Sequence, residues 1–582
     1  MRGPVKTDPM RNSLAVRVAE QAASHPDVIA YTELRYRMHE RLPHSITYAR
    51  LHTAAGELAA RLRGASAPGD RVAILCAHGL DYAVAFLACL YSNRIAVPLF
   101  PAAGTRNRER LHAVLADARP TAALLSHSDV TSPAVLGPGL GQVVRLPPDV
   151  TVTPAAPPGN SAEPVIDPVR GTLAYLQYTS GSTQAPTGVQ VTHANMATAL
   201  EQLCHALAPT PDKPILTWLP FFHDMGLILG LSLPLYCGVP GYTMAPAEFV
   251  KRPIRWLRAV SDYRVGITGG PNFGLSLTVS ATTPQERAGL DLSGLDLLLN
   301  GSEPVRAEAL DEFSTAFLDY GFRQQAHTPG FGLAEATLTV TVCARDEEPV
   351  AQRFDRAALA EGRVVALVPG DEPFGGAALV GCGVPAGQDV RIVHPLTQVE
   401  LPTGRVGEIW VAGANVCDGY FGRPDATAET FHAALAGSDV HWLRTGDLGF
   451  WFDDQLYIAG RRKDVVVVDG RNHYPPDIEA TVEACAPEVR PGHVTVFGHD
   501  DGRREDLVVV AELSTVEAVE PTEFSVLARR IRAAVAAAHE VLPGAVLLVE
   551  PGRIPKTTSG KLRRGECRAR YLAGRLDPVA MI

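Results

Sequence analysis

A chain of 582 residues is long enough for more than one domain, because single hydrophobic cores stop growing near about 250–300 residues. Its 46% hydrophobic and 20% charged residues exclude a disordered chain, and a formal charge of -10 argues against bulk nucleic-acid binding. No apolar run approaches the roughly 18 residues of a membrane-spanning helix, and Met1–Glu20 lacks the apolar stretch of a secretory signal.

Elements then follow in chain order. Arg71–Ala77, opened by Gly69-Asp70, is a short apolar run that predicts a strand, and the AVAFLACLYSN segment after it predicts a helix. Ile95–Phe100 is strand-like, RERLHAVLADAR helical, and TAALLSH strand-like again. This alternation predicts a mostly parallel, doubly wound sheet. Pro154–Pro164 is a Pro/Gly-rich surface loop. Around Gly407–Gly422 and Asp447–Gly470 the pattern changes to short strands with turns, which predicts a smaller β-rich subdomain. From about Tyr474 onward, strands such as HVTVFG and LVVVAEL alternate with the helix FSVLARRIRAAVAAAHEV, an α+β segment. A domain boundary is placed close to Arg461–Asp464. The nine cysteines show no C-x-x-C pair, which predicts reduced, mostly buried thiols of a cytoplasmic protein, with neither a disulfide framework nor a zinc site.

The densest chemistry lies where the apolar strand LAYLQY runs into Thr179, Ser180, Gly181, Ser182 and Thr183, followed by Pro186-Thr187-Gly188. Glycine lets backbone N–H groups turn toward an anion, and the hydroxyls add donors for phosphate oxygens. The stretch lacks the G-x-x-x-x-G-K-[ST] pattern of a Walker loop. A bare TSGST would fit an ordinary strand-to-helix loop as well; the longer form is more specific.

That longer form, YTSGSTQAPTGV, resembles the phosphate-loop signature of the adenylate-forming superfamily of acyl-CoA synthetases, peptide-synthetase adenylation domains and luciferases. Further matches follow in the expected order. Gly301-Ser302-Glu303-Pro304 resembles the adenine-contacting loop, and Phe331-Gly332-Leu333-Ala334-Glu335 the Y-G-x-[TA]-E motif. Thr445-Gly446-Asp447 resembles the ribose-binding motif, Gly460–Asp464 the hinge motif, and Pro555–Leu562 the C-terminal lysine motif. The resemblance implies a large N-terminal domain, residues 1–460, of doubly wound sheets plus the β-rich subdomain. It also implies a hinge at 461–464 and a small mobile α+β C-terminal domain, 465–582.

The same resemblance implies ATP and Mg²⁺ as cofactors and assigns the roles. Glu335 and Thr183 are the Mg²⁺ ligands, Phe331 lies against adenine, and Asp447 accepts from the ribose hydroxyls. Arg461 binds ribose or phosphate oxygens, and Lys463 is the pivot. Lys561 bridges the acyl carboxylate and the α-phosphate, a task suited to a compact ammonium. Lys556 is balanced between a site residue and a basic tail. His223 either gates the substrate carboxylate or is a satisfied interior histidine, and Leu227–Leu235 is either an acyl tunnel or core. The loop reads Pro186-Thr187-Gly188 where relatives commonly have P-K-G, so one phosphate contact is weakened.

Several stretches, among them Trp218–Leu227 and Val468–Pro475, are similar to fatty acyl-AMP ligases, as is an extra segment, Phe354–Gly376. In that branch the insertion packs on the N-terminal domain and limits transfer to CoA. The acyl group goes instead to the phosphopantetheine thiol of an acyl carrier protein. The resemblance therefore implies a fatty acid substrate and a separate carrier protein, or a carrier domain of a polyketide or peptide synthase. CoA is the alternative acceptor, and a catalytically dead acyl-binding homologue is the reading from another class. No integral membrane segment and no nucleic-acid partner are expected.

Overall fold

The run Arg71–Ile74, with three of its four residues fully buried, can sit only between two covering layers. The computed structural model, which describes residues 12–101, 108–129, 140–151, 171–178, 186–368, 376–437, 439–500, 505–515, 523–557 and 560–582, provides them. A hairpin comes first, β1 (Ile29–Arg37) and β2 (Glu40–Thr47). β3 (Arg71–Ile74), β4 (Ile95–Pro98), β5 (Ala122–Leu125), β6 (Gln142–Arg145), β7 (Leu173–Tyr178) and β8 (Gly188–Thr192) follow. Among the described residues, β3 to β8 form a six-stranded sheet of order β6-β5-β3-β4-β7-β8. All of its neighbours pair in parallel except β7 and β8, which form an antiparallel hairpin. The helix Leu80–Tyr91 between β3 and β4 is buried along its whole length.

β9 (Ile215–Thr217), β10 (Gly241–Met244), β11 (Ile267–Gly269), β12 (Leu297–Asn300), β13 (His327–Gly332), β14 (Thr339–Val342), β15 (Ala351–Asp355), β16 (Gly376–Val380) and β17 (Val384–Pro385) come next. Most of them join the opening hairpin in a nine-stranded sheet, β17-β14-β13-β12-β11-β9-β10-β1-β2, parallel in its middle and antiparallel at both ends. The expected α/β, doubly wound architecture is therefore present twice. β15 and β16 stand apart as a two-stranded pair. The expected β-rich subdomain is a separate five-stranded sheet that includes β18 (Asp389–Val393), β19 (Gly407–Ala412), β20 (Ala433–Ala434), β21 (His441–Phe452) and β22 (Gln455–Arg461).

After a short 3₁₀ turn at Arg462–Asp464, residues 466–582 bury their own apolar clusters. One includes Ile478, Val496, Val509 and Ile531, the other Val508, Leu547 and Cys567. Their four-stranded sheet packs against the helices Pro475–Cys485 and Phe524–His539. Among the described residues, ion pairs of Arg306 with Glu483 at 2.7 Å, Arg356 with Asp477 at 2.7 Å and Arg564 with Asp464 at 2.9 Å tie this unit to the rest.

One expectation is corrected. Cys204 and Cys237 form a disulfide where reduced thiols were expected. Cys204 lies in the helix His193–Leu207 and Cys237 ends the helix Leu233–Cys237, so packing makes the pair and no local spacing announces it. The other seven cysteines are free, six of them buried. Leu227–Leu235, open between an acyl tunnel and core, runs through a π-helical turn, Gly226–Ser232, and is buried, its leucines at most 3% exposed. No helix among the described residues is long and apolar enough to cross a membrane.

Candidate active site

The hairpin β7–β8 carries the hydroxyl-rich stretch between its strands; Thr179, Ser180, Gly181, Ser182 and Thr183 themselves lie outside the described residues. Its flanks are tightly held. The Gln177 amide donates to Phe222 O at 2.9 Å and the Tyr178 hydroxyl to Asp117 at 2.7 Å. At Gly188 a Cβ would come within 2.9 Å of the Tyr178 ring, so only glycine fits beneath it. Thr192 then caps the next helix in a capping box with Asn195.

The Phe222 carbonyl belongs to the segment Trp218–Met225, which turns sharply after β9. Gly226 permits the turn, since a Cβ there would sit 2.2 Å from Pro220 O. Phe221 stacks on His78 with ring centroids 4.1 Å apart, and burial pushes the His78 imidazole down to about 3. His223 stands in the wall of a mostly apolar cleft, shared with Trp218, Met225, Phe273, Ser302 and Lys561. It is a wall residue with a partner of its own. Its Nδ1 lies 2.6 Å from Asp224 Oδ1. Burial alone would raise the Asp224 carboxyl, but His223 and Lys561 outweigh that and hold it down to about 2. Asp224 was not foreseen as a site residue.

The adenine-loop candidates follow β12. At Gly301 a Cβ would meet Gly330 O at 2.9 Å, and Ser302 takes a left-handed backbone with φ +73. Asn272 pins the loop by donating to Pro304 O at 2.8 Å. Burial pushes the Glu303 carboxyl up, while Lys561 and Lys556 pull it down. Phe331 and Gly332 end β13, where a Cβ on Gly332 would collide with Leu338 O at 1.9 Å. Phe331 is 9% exposed.

Glu335 projects from a 3₁₀ turn, Ala334–Ala336. Tyr420 donates its hydroxyl to Glu335 Oε1 at 2.8 Å, a partner the sequence did not single out although it lies in the CDGYFG stretch. Burial raises the Glu335 carboxyl and the Tyr420 bond opposes it. Asp447 and Arg461 face each other across β21 and β22, with Nε to Oδ1 at 3.1 Å. Lys463 stands exposed in the 3₁₀ turn after β22.

Lys561 reaches this cluster from the C-terminal unit. Its backbone N–H donates to Thr557 Oγ1 at 3.0 Å, and Gly560, at φ +83, packs under the Phe273 ring. Burial pushes its ammonium down, while Asp224 and Glu303 favour the charged form. Lys556 lies 3.4 Å from His493 and is pushed down to about 8 by burial. His223, Ser302, Glu303, Asp447, Arg461 and Lys561 thus converge on one region from several elements, with Glu335 coupled to Arg461 and Asp224.

Comparison with known proteins agrees with this geometry. A family model described as AMP-binding enzyme matches residues 18–421, and one described as Disco-interacting protein 2-like, AMP domain, matches 463–580. The long-chain-fatty-acid–AMP ligase FadD32 of Mycolicibacterium smegmatis is 39% identical, over 98% of this chain and 95% of its own. The medium-chain-fatty-acid–acyl-carrier-protein ligase JamA of Moorena producens is 38% identical, over 92% of each. Among solved structures, the fatty acyl-adenylate ligase from L. pneumophila in complex with acyl adenylate and pyrophosphate is 31% identical. It superposes with a TM-score of 0.74, over 100% of this chain and 99% of that one. The chain belongs to the AMP-binding enzyme family, in its fatty acyl-AMP ligase branch.

Proposed function

We propose that this protein activates a fatty acid with ATP, releasing pyrophosphate, and passes the acyl group to the phosphopantetheine thiol of a separate acyl carrier protein. The observation that carries the reading is the placement of Lys561 in the wall of the apolar cleft beside His223 and Ser302. A carboxylate oxygen attacks the α-phosphorus and the bond to the β-phosphate breaks; two anions must meet, so a cation at the seam lowers the barrier. Lys561 supplies it, bridging carboxylate and α-phosphate. The Trp218, Met225 and Phe273 side chains receive the acyl chain, and His223 orients its carboxylate. Asp447 and Arg461 hold the ribose, the Gly301–Pro304 loop and Phe331 the adenine, and Thr179–Thr183 the phosphates.

Mg²⁺ fits the donor set. Glu335 has one oxygen on Tyr420 and no side-chain partner on the other among the described residues. No group of three or more His, Cys, Asp or Glu there could cage a metal alone. One carboxylate, Thr183 and nucleotide phosphates are the usual setting for this ion, which neutralises phosphate charge when bound.

In the second step the thiol sulfur attacks the acyl carbonyl carbon, its proton leaves to solvent, and the bond to AMP breaks. Residues 1–460, the hinge at 461–464 and the mobile unit 465–582 divide the work, with Lys463 as pivot. The extra segment supports a carrier rather than CoA as acceptor. Phe354 is buried against Phe450 and Tyr457, and Arg356 holds Asp477 through bonds of 2.7 and 2.9 Å. Phe354 thus seats the segment on the main body, and Arg356 ties it to the unit that must rotate. We place the activity in the cytoplasm.

Fatty-acid-dependent ATP–pyrophosphate exchange across a chain-length series tests the first step, and single-turnover transfer to holo-carrier protein against CoA tests the second. Exchange with carrier loading and little CoA thioester is expected. Rapid acyl-CoA formation would sink the second half, and absence of exchange the first.

A further inference from the structure

The stretch Gly413–Phe421 after β19 touches three parts of the site at once. The Asn415 amide donates to Ala336 O at 2.8 Å, and its own carbonyl accepts the Thr337 hydroxyl at 2.7 Å. Cys417 N–H donates to Glu335 O at 2.9 Å, and the Tyr420 hydroxyl to Glu335 Oε1 at 2.8 Å. The backbone and carboxylate of Glu335 are thus held by one segment about eighty residues further along the chain. That segment is also stitched to the phosphate hairpin: Gly419 O accepts Gln190 N–H at 2.9 Å and Phe421 N–H donates to Gly188 O at 2.8 Å. Asn195, the capping-box partner of Thr192 after β8, donates to Ala414 O at 3.0 Å and Val416 O at 2.8 Å. The Tyr420 ring is itself fixed, edge-on to Phe431 at 5.0 Å, with its backbone N–H on Thr427 Oγ1 at 2.9 Å.

We propose that Gly413–Phe421 is a cross-brace fixing Glu335 against the phosphate hairpin, in which Tyr420 is a positioning residue that occupies Oε1 and leaves a single carboxylate oxygen for Mg²⁺. The proposal rests on the reading of Glu335 as a metal ligand. A carboxylate whose Oε1 already accepts a hydrogen bond favours monodentate ligation through its other oxygen. Mg²⁺ demands near-octahedral geometry at about 2.0–2.1 Å, whereas Ca²⁺, at about 2.3–2.6 Å, tolerates a bidentate carboxylate. Partners that orient a metal ligand typically contribute about 10- to 100-fold in affinity. Tyr420 therefore sets both the affinity for Mg²⁺ and the discrimination against Ca²⁺.

The test is Mn²⁺ binding followed by electron paramagnetic resonance, with a non-hydrolysable ATP analogue and competition by Mg²⁺ or Ca²⁺. Tyr420→Phe is expected to weaken Mg²⁺ competition about 10-fold and Ca²⁺ competition distinctly less. Asn415→Ala, which loosens the brace from the other side, is expected to weaken both ions alike. Thermal melting identifies any variant that fails to fold, and the surviving one then decides. Wild-type Mg²⁺ and Ca²⁺ competition in folded Tyr420→Phe overturns the proposal. If that variant is lost, wild-type competition in folded Asn415→Ala does so. Glu335→Gln separates the two levels: unchanged Mn²⁺ binding there refutes Glu335 as a ligand, whereas its loss with an unchanged Tyr420→Phe refutes the brace alone.

Discussion

Glu335 and Lys561 are the opposite charges of one site, and the molecule holds them in opposite ways. Glu335 grows from the main core, on a turn hydrogen-bonded to Asn415, Cys417 and Tyr420. Lys561 arrives on a loop of the C-terminal unit, steadied by Thr557, by the seat of Gly560 under Phe273 and by the charges of Asp224 and Glu303. The stationary charge sits where the nucleotide must stay through both steps. In the proposed function the carried charge serves the first step only, and its burial, which pushes the ammonium down, works against keeping it there. A site can therefore be rigid at one pole and retractable at the other.

The largest expected effect comes from removing the carried charge. Lys561→Ala should lower fatty-acid-dependent ATP–pyrophosphate exchange by about 10²–10³-fold, the scale of one oxyanion-stabilising group. Thioester formation from supplied acyl-adenylate should fall far less. Equal losses in both assays would show that Lys561 is not a first-step charge. Next comes its seat. In Gly560→Ala the new Cβ would lie 2.9 Å from the Phe273 ring in a left-handed backbone. A non-glycine residue there costs about 1–2 kcal/mol, or roughly a tenfold loss of exchange. The same strain sits in the folded state, so the melting temperature should fall by about a few degrees as well. A smaller effect is expected at the outer anchor. Arg356→Ala breaks a bidentate pair whose side chains are 17% and 16% exposed. CoA thioester formation should rise about threefold as the C-terminal unit turns more freely, roughly 0.6 kcal/mol. An unchanged CoA rate would remove the restraint from Arg356.

Much of the fold was legible in the sequence because its signals are local. The short buried runs at Arg71–Ile74, Ile95–Pro98 and Ala122–Leu125 lie between segments of helical period, and both ends of Lys561's loop carry small or helix-breaking residues. What escaped depends on closure between distant segments. Tyr420 meets Glu335 across 85 positions, and nothing in the CDGYFG stretch says which carboxylate it will face. Asp224 sits inside a quoted motif, but its part emerges only when Lys561 folds over it from the other end of the chain. Cys204 and Cys237 pair only because two helices meet. Leu227–Leu235 was ambiguous for a different reason: apolar composition suits a tunnel and a core equally.

The smallest expected effect lies at the edge of the retractable pole. Burial pushes Lys556 down to about 8 from the ordinary 10.5, with Glu303 opposing. Between those two values the unfolded chain holds a proton that the folded chain lacks, so this group makes stability rise with pH; below about 8 both states hold it and its contribution is flat. Buried thiols act in the other direction. Burial pushes Cys343 and Cys417 up to about 12 from 9.0, so over that window the folded chain keeps protons the unfolded chain has lost, and stability falls. The total curve therefore mixes the two. The difference in urea-unfolding free energy between wild type and Lys556→Met cancels the thiols and isolates the lysine. It should climb in favour of wild type across pH 8 to 10.5 and level off on either side. A flat difference would mean that Lys556 keeps its charge at no cost, and that the retractable pole is closed by Lys561 alone.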